Sequence, residues 1–308
     1  MKVKSNGLDI EVLDSADGAA DAAHAKRPVV LLIIGLGLQL IDWPSGFVQS
    51  LLDAGYRVVR FDNRDAGLST HLSHFGKPNL FWLGLQYKLG LAPHGPYRLA
   101  DMAADAVGVL DALQIDKAHI VGMSMGGMIA QRVALAIPQR VLSLTSMMSS
   151  SGARGLPGPE TRVIKAMMTP QRGHGIDAVV DQYFEVFKLV ASPVHPVSDA
   201  ELREQIRTRV TRSNDPVGVM RQIVAVASDV SRAGLLSRIT APTLVMHGKA
   251  DPLLPYACGE DTARRIPHAS LLGIDGMGHD MSPVHFHTMV QALLAHVQGA
   301  AAHSQVSP

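Results

Sequence analysis

The stretch Ala118-His119-Ile120-Val121-Gly122-Met123-Ser124-Met125-Gly126 joins a strand pattern to a helix pattern through a tight turn. The short apolar run at 118–121 predicts a buried strand, and helical periodicity begins at Met125. A serine between two glycines in this context is the G-x-S-x-G pattern of a nucleophile elbow. At Gly122 and Gly126 a side chain would collide with neighbouring backbone, so the spacing favours glycine. Ser124, raised above the strand ends, is therefore the candidate nucleophile.

Strand and helix patterns alternate on both sides of this turn. Residues 28–34 and 56–62 predict strands before it, and residues 141–146 predict a strand after it. The patterns at 44–54 and 99–113 predict helices between those strands. This alternation predicts an α/β fold with a mostly parallel central sheet and helices on both faces.

The alternation stops after Ser146 and resumes at residues 242–246 and 269–272. A Gly- and Pro-containing linker at 152–159 precedes helical periodicity with apolar stripes, which predicts a helical lid over the carboxyl edge of the sheet. The predicted organisation is the first part of a core domain at 1–151, a lid (cap) insertion at 152–236, the second part of the core at 237–298, and a flexible tail at 299–308. The linker would allow the lid to move, and a lid packed rigidly on the sheet is the alternative.

Two late strand ends carry the residues that a serine nucleophile needs, which are a base and an acid that orients the base. Asp251 follows one strand pattern, and His279, bracketed by glycines, follows the last one. No acidic residue follows the strand that ends at Ser146, which favours Asp251. Asp280 is the fallback acid, although adjacent side chains rarely meet head-on. The chain order Ser124, Asp251, His279 predicts a catalytic triad.

The segment Gly35-Leu36-Gly37 follows the first long strand pattern. We expect the backbone N–H groups of Leu36 and Met125 to form an oxyanion hole, in which each donor typically lowers the barrier by about 3–4 kcal/mol. A plain strand-terminating turn is the alternative interpretation.

Other polar residues have structural interpretations. Asn63-Arg64-Asp65 is interpreted as a turn whose charges pair beside the site. His279, His285 and His287 lack helical i, i+4 pairing and a nearby acid, so no metal site is predicted.

Composition limits the remaining function classes. The 308 residues include 28 Lys and Arg against 27 Asp and Glu, and the formal net charge of +1 argues against a dedicated nucleic-acid binder. Hydrophobic residues make up 47% and charged residues 18%, which predicts extensive burial. The single cysteine, Cys258, predicts neither an internal disulfide nor a Cys-based zinc site. With no apolar signal core and no membrane-spanning run, we expect a cytoplasmic protein.

Four segments resemble the α/β-hydrolase superfamily, namely residues 34–44, 60–69, 122–127 and Gly276-Met277-Gly278-His279. They are most similar to bacterial carboxylesterases of the aclacinomycin-methylesterase type, and the resemblance spans most of the chain outside the insertion. It implies an α/β-hydrolase fold, an ester hydrolase with a Ser124–His279–Asp251 triad, and no cofactor. Many relatives begin the oxyanion turn with His-Gly, whereas Ile34 precedes Gly35 here.

The sequence predicts a serine carboxylic ester hydrolase that forms an acyl-enzyme on a small to medium apolar ester. The same triad would serve hydrolysis of an enol-lactone or a carbon–carbon bond, or perhydrolysis. A ligand-binding receptor of low turnover is the alternative from another class. We expect the protein to bind a small-molecule ester and to bind neither nucleic acid nor a metal. No membrane span is expected, and a homodimer is left open.

Overall fold

The computed structural model describes residues 1–17, 24–89, 91–194 and 197–306. The strands within them are β1 (Lys2–Ser5), β2 (Leu8–Asp14), β3 (Val29–Ile33), β4 (Arg57–Phe61), β5 (Ala118–Met123), β6 (Val141–Met147), β7 (Thr243–Gly248) and β8 (Ser270–Ile274). They form one sheet in the order β1-β2-β4-β3-β5-β6-β7-β8. Pairing is parallel from β4 to β8 and antiparallel at β1–β2 and β2–β4. The prediction of a mostly parallel sheet is confirmed.

The N-terminal hairpin of β1 and β2 was not predicted. Its turn is Asn6-Gly7, with φ of +49° and +78°. Asn-Gly is a strong hairpin signal because both residues adopt positive φ at little cost. The dipeptide was therefore the sequence signal that could have found this edge of the sheet.

Helices cover both faces of the sheet. They are α1 (Ser45–Asp53), α2 (Leu80–Lys88), α3 (Leu99–Ala112), α4 (Met125–Ala136), α5 (Thr161–Met168), α6 (Gly175–Val190), α7 (Asp199–Arg212), α8 (Pro216–Ser228), α9 (Arg232–Leu235), α10 (Ala257–Arg265) and α11 (Pro283–Val306). Strand β3 shows how the two apolar layers arise from one sequence. Leu31 and Ile33 pack with α3 and α4, whereas Val30 and Leu32 pack with α1 and α11. Successive side chains of a strand point to opposite faces, so an unbroken apolar run is buried on both sides.

Helices α5 to α9 occupy the interval between β6 and β7 that the sequence assigns to the insertion. The apolar stripes of α6 and α7 pack on each other and form a small core of their own around Val180, Phe184, Ile206 and Val210. These side chains therefore cover one another within the insertion.

The C-terminal helix α11 continues to Val306, so residues 299–306 are helical where the sequence predicts a tail. Alanines at positions 300–302 favour helix, which explains the difference. Residues 307 and 308 lie outside the described residues. In the part of the chain that the structure describes, no helix combines the length and apolarity that crossing a membrane requires.

Buried ion pairs join the C-terminal half of the insertion to the core. Arg221 of α8 binds both carboxylate oxygens of Asp65 at 2.8 Å, and both side chains are at most 1% exposed. Arg212 of α7 contacts Asp62 at 2.8 Å, and Arg209 contacts Asp42 at 3.1 Å. An Arg that is removed from such a pair leaves a buried, uncompensated carboxylate. This half of the insertion is therefore firmly attached.

We predict that Arg221→Met lowers the free energy of unfolding by about 3–5 kcal/mol, because Asp65 would keep its charge in the interior without a cationic partner. The matched control is Arg207→Met, which removes an exposed pair with Asp177 in α6. That pair is surrounded by water, so the urea midpoint should stay nearly unchanged. Equal shifts of the midpoint in the two variants would contradict the proposed attachment.

Candidate active site

Ser124 lies at the turn between β5 and α4, with φ +56° and ψ −121°. This left-handed region is strained for a residue with a side chain, so neighbouring contacts must hold it. Its N–H donates to Met147 O at 2.8 Å, and its carbonyl accepts from Ser149 Oγ at 2.7 Å and from Gly127 N at 2.9 Å. The backbone of the serine is thus fixed on both sides.

The glycines around Ser124 are sterically required. A Cβ on Gly122 would lie 2.1 Å from Gly126 O, and one on Gly126 would lie 2.0 Å from Ile33 O. Both obstacles are backbone atoms that cannot rotate away. The turn is therefore packed directly against the end of β3.

The structure brings Ser124, His279 and Asp251 into one hydrogen-bonded line. His279 Nε2 lies 3.0 Å from Ser124 Oγ, and His279 Nδ1 lies 2.7 Å from Asp251 Oδ2. The other carboxylate oxygen, Oδ1, accepts from Leu253 N and Leu254 N, each at 2.9 Å. These separations are within the range of nucleophile–base and base–acid contacts.

Asp251 is held in its ionised form. Burial by itself raises the pKa of this carboxyl. The charge of His279 and the hydrogen bonds from His247, His279 and Leu254 N–H outweigh burial, so the pKa lies well below its usual range. His247 was not assigned a role from the sequence; its Nε2 lies 3.5 Å from Asp251 Oδ2.

The fallback acid Asp280 contacts the insertion. Its Oδ1 accepts from Ser192 N at 3.0 Å and from Ser192 Oγ. Ser192 Oγ in turn accepts from Gly278 N at 3.0 Å, and Val190 O accepts from His279 N at 2.7 Å. Burial raises the pKa of Asp280 despite these bonds. The loop that carries His279 is therefore held by the chain at the end of α6.

The predicted oxyanion turn lies beside the serine. A Cβ on Gly35 would be 3.2 Å from Ser124 Cβ. Asn63 Nδ2 donates to Ile34 O at 3.0 Å, and Gly37 N donates to Gln222 Oε1 at 2.9 Å. Sequence reasoning missed both anchors. Asn63 was interpreted only as part of a turn, and Gln222, in α8, carried no signal at all.

A cavity of about 370 Å³ lies between the insertion and the core. This volume is within the range of small-molecule pockets. From the core it is lined by Leu38, Met123 and His279, and from the insertion by Phe187, Leu202 and Ile206. Charged residues, among them Arg162 and Lys188, line it as well, so His279 faces a space with both apolar and charged walls.

One group of residues has ligand atoms close enough for a metal ion, namely Asp65, His71 and Asp215, within 4.8 Å of one another among the described residues. Arg221 already binds both oxygens of Asp65 and lies 3.3 Å from Asp215. The guanidinium supplies the positive charge that a metal would bring, so these residues do not fit an ion. Arg64, in the same turn, pairs with Asp105 at 2.6 Å.

A family model described as alpha/beta hydrolase fold matches residues 28–286. The chain is 30% identical to rhodomycin D methylesterase DauP of Streptomyces sp. (strain C5), over 94% of this chain and 96% of the relative. It is 29% identical to the putative carbamate hydrolase RutD of Pantoea ananatis, over 92% and 94% of the two chains. The enol-lactonase structure from Burkholderia xenovorans LB400 superposes with a TM-score of 0.66 at 20% identity, covering 97% of this chain and all of that one. The resemblance to methylesterases seen in the sequence is confirmed.

Proposed function

Because this chain belongs to the alpha/beta hydrolase family, and is a hydrolase, we propose that it is a serine carboxylic ester hydrolase. It would act through an acyl-enzyme on a small to medium apolar ester. The observation that carries the proposal is the hydrogen-bonded line from Ser124 Oγ through His279 to Asp251. The similarity to a rhodomycin D methylesterase adds support for an ester as substrate.

In the acylation step, neutral His279 accepts the proton of the Ser124 hydroxyl through Nε2 while Oγ attacks the ester carbonyl carbon. The imidazolium that forms is stabilised by Asp251, whose carboxylate is already ionised. His279 then donates that proton to the alkoxide oxygen as the carbon–oxygen bond breaks. The alcohol leaves, and the acyl group stays on Ser124.

Deacylation reverses the roles. A water molecule gives its proton to His279 Nε2 and attacks the acyl carbon. Collapse of the tetrahedral intermediate releases the acid and returns the proton to Ser124 Oγ. No cofactor is required by this sequence of steps.

Acylation and deacylation each pass through a tetrahedral intermediate. Its negatively charged oxygen would accept hydrogen bonds from the N–H groups of Leu36 and Met125. Met125 is the first residue of α4, where helix N–H groups lack intrahelical partners and the helix dipole favours negative charge. Leu36 lies between Gly35, which approaches Ser124, and Gly37, which is anchored by Gln222. Anchored donors need no reorganisation as charge develops, which is the basis of their catalytic effect.

The insertion would select the substrate as a lid. It contributes Phe187, Leu202 and Ile206 to the cavity that also contains His279. Apolar walls favour an acyl or alcohol group of low polarity. The same triad would also hydrolyse an enol-lactone or a carbon–carbon bond, so these substrates belong in the test panel.

We predict that a fluorophosphonate probe labels Ser124 and that Ser124→Ala abolishes the label. The same substitution should lower kcat for p-nitrophenyl esters by on the order of 10⁴-fold or more, because it removes the nucleophile. Mass spectrometry of the labelled peptide and initial rates provide the measurements. An unlabelled wild-type protein with no turnover of any ester or lactone would instead support the receptor hypothesis.

Asp251 contacts His279 and Asp280 follows it in the sequence, so substitutions of these two acids can be compared directly. Asp251→Asn should lower kcat by about 10⁴-fold, because an amide cannot orient the imidazole or stabilise its charge as a carboxylate does. Asp280→Asn should keep most of the activity, because the amide oxygen still accepts from Ser192. Steady-state kinetics at one pH compare them, and equal losses would refute Asp251 as the orienting acid.

Leu202→Ala should change the ratio of kcat/KM between short and bulky esters by about 10–200-fold, as expected for altered apolar contact in a substrate pocket. Val179→Ala is the control, since Val179 packs in the same helical cluster and is not a lining residue of the cavity. A selectivity profile of Leu202→Ala that runs parallel to the wild type would show that the insertion has no part in selectivity.

A further inference from the structure

Helix α2 and its flanks carry an exposed apolar surface, which we name the α2 surface. Its large side chains are strongly exposed: Phe75 51%, Phe81 82%, Trp82 55%, Leu85 37%, Leu89 66% and Leu91 54%. A single exposed leucine is ordinary, but this many neighbouring aromatic and aliphatic side chains mark an interaction site.

Helix α2 is apolar on both of its sides. Its inner side faces a groove of about 290 Å³ against α8, which is lined by Trp82, Leu83 and Gln86. Its outer side presents Phe81 and Leu85, one helical turn apart. A helix that needed only to cover the core would place its polar residues outward. The outer face of α2 is therefore apolar for a reason other than packing within this chain.

The segment that carries the α2 surface has an excess of cations. The thirty residues from His71 to Ala100 contain no aspartate or glutamate, whereas Lys77, Lys88 and Arg98 all occur there. Lys77 and Arg98 are exposed. Helix α8, on which α2 packs, has no acidic residue between its capping residues. Acids lie only at the flanks of the segment, where Asp215 contacts His71 and Asp101 accepts from Arg98 N. Exposed aromatic and leucine side chains next to cations are typical of segments that lie in the interface of an anionic bilayer.

We propose that the α2 surface docks this protein peripherally on anionic lipid membranes. Phe81 and Leu85 enter the headgroup–acyl boundary, and the flanking cations contact the lipid phosphates. Trp82, which lines the groove and is 55% exposed, lies next to them. A second copy of this chain is the less suitable occupant. A two-fold contact brings the same surface against itself, so the excess cations of the two copies would face each other.

The chain carries its own reporter for this docking. Of its two tryptophans, Trp43 is 1% exposed and Trp82 is 55% exposed. When the full-length protein is titrated with vesicles of phosphatidylcholine and 30% phosphatidylglycerol, we expect the Trp82 emission to shift to shorter wavelength. The protein should sediment with these vesicles and bind pure phosphatidylcholine at least about 5-fold more weakly.

Two serine substitutions separate the α2 surface from general stickiness. Phe81→Ser should weaken vesicle partition by about 10-fold or more. Met168→Ser, which changes an equally exposed apolar side chain (77%) on α5, should have no effect. Lys77→Glu should weaken binding to the anionic vesicles alone. Unchanged circular dichroism and turnover of a water-soluble ester show that each variant is folded.

Three outcomes would overturn the proposal. The first is a wild-type protein that neither sediments with anionic vesicles nor shifts its emission. The second is equal weakening by Phe81→Ser and Met168→Ser. The third is a dimer in sedimentation velocity that Phe81→Ser dissociates, which would assign the α2 surface to a second copy of the chain. Loss of esterase activity alone would bear on the proposed function and leave membrane docking intact.

Discussion

The close approach of three backbone segments at the end of β5 is the constraint on which the candidate site depends. Gly122 meets the backbone of Gly126, and Gly126 meets the carbonyl of Ile33 at the end of β3. Since no side chain fits at either glycine, Ser124 is held at positive φ beside the turn that follows β3. The strain at one residue is offset by the parallel strands, whose hydrogen bonds fix both ends of the turn. Ser124 and the predicted oxyanion turn thus come from neighbouring strand ends.

The insertion takes part in this arrangement as well as covering it. Gln222 of α8 anchors Gly37 at one end of the oxyanion turn. At the other side of the cavity, Val190 and Ser192 hold the loop of His279 and Asp280. His279 and the predicted oxyanion turn are therefore both held by a segment that contributes neither. We expect a change in how the insertion packs to alter the geometry around Ser124 and the shape of the cavity together.

Charge is distributed differently in the two halves of the insertion. Buried pairs such as Arg221–Asp65 attach α8 to the core, whereas the pairs between α6 and α7, such as Arg207–Asp177, are exposed to water. Exposed pairs contribute little to stability, so the contact between α6 and α7 depends mainly on their small apolar core around Phe184 and Ile206. Helix α7 is also joined to the core domain by Arg209–Asp42 and Arg212–Asp62, so its wall of the cavity is the more firmly held one.

The sequence by itself determined the parallel core, and it predicted the elbow glycines and the triad of Ser124, Asp251 and His279, whose catalytic roles stay a prediction. These follow from local rules: apolar runs are buried, strands precede tight turns, and a serine nucleophile needs a base and an acid. It did not determine the partners of Asn63, Gln222, Asp280 and Ser192, because hydrogen bonds between residues distant in the chain leave no periodic pattern. Nor could it decide which apolar stripes cover each other in α6 and α7, or that α2 turns Phe81 and Leu85 outward. The sequence of an apolar segment is the same whether its side chains face a core or the solvent. Only the packing of the whole chain decides which of them are buried.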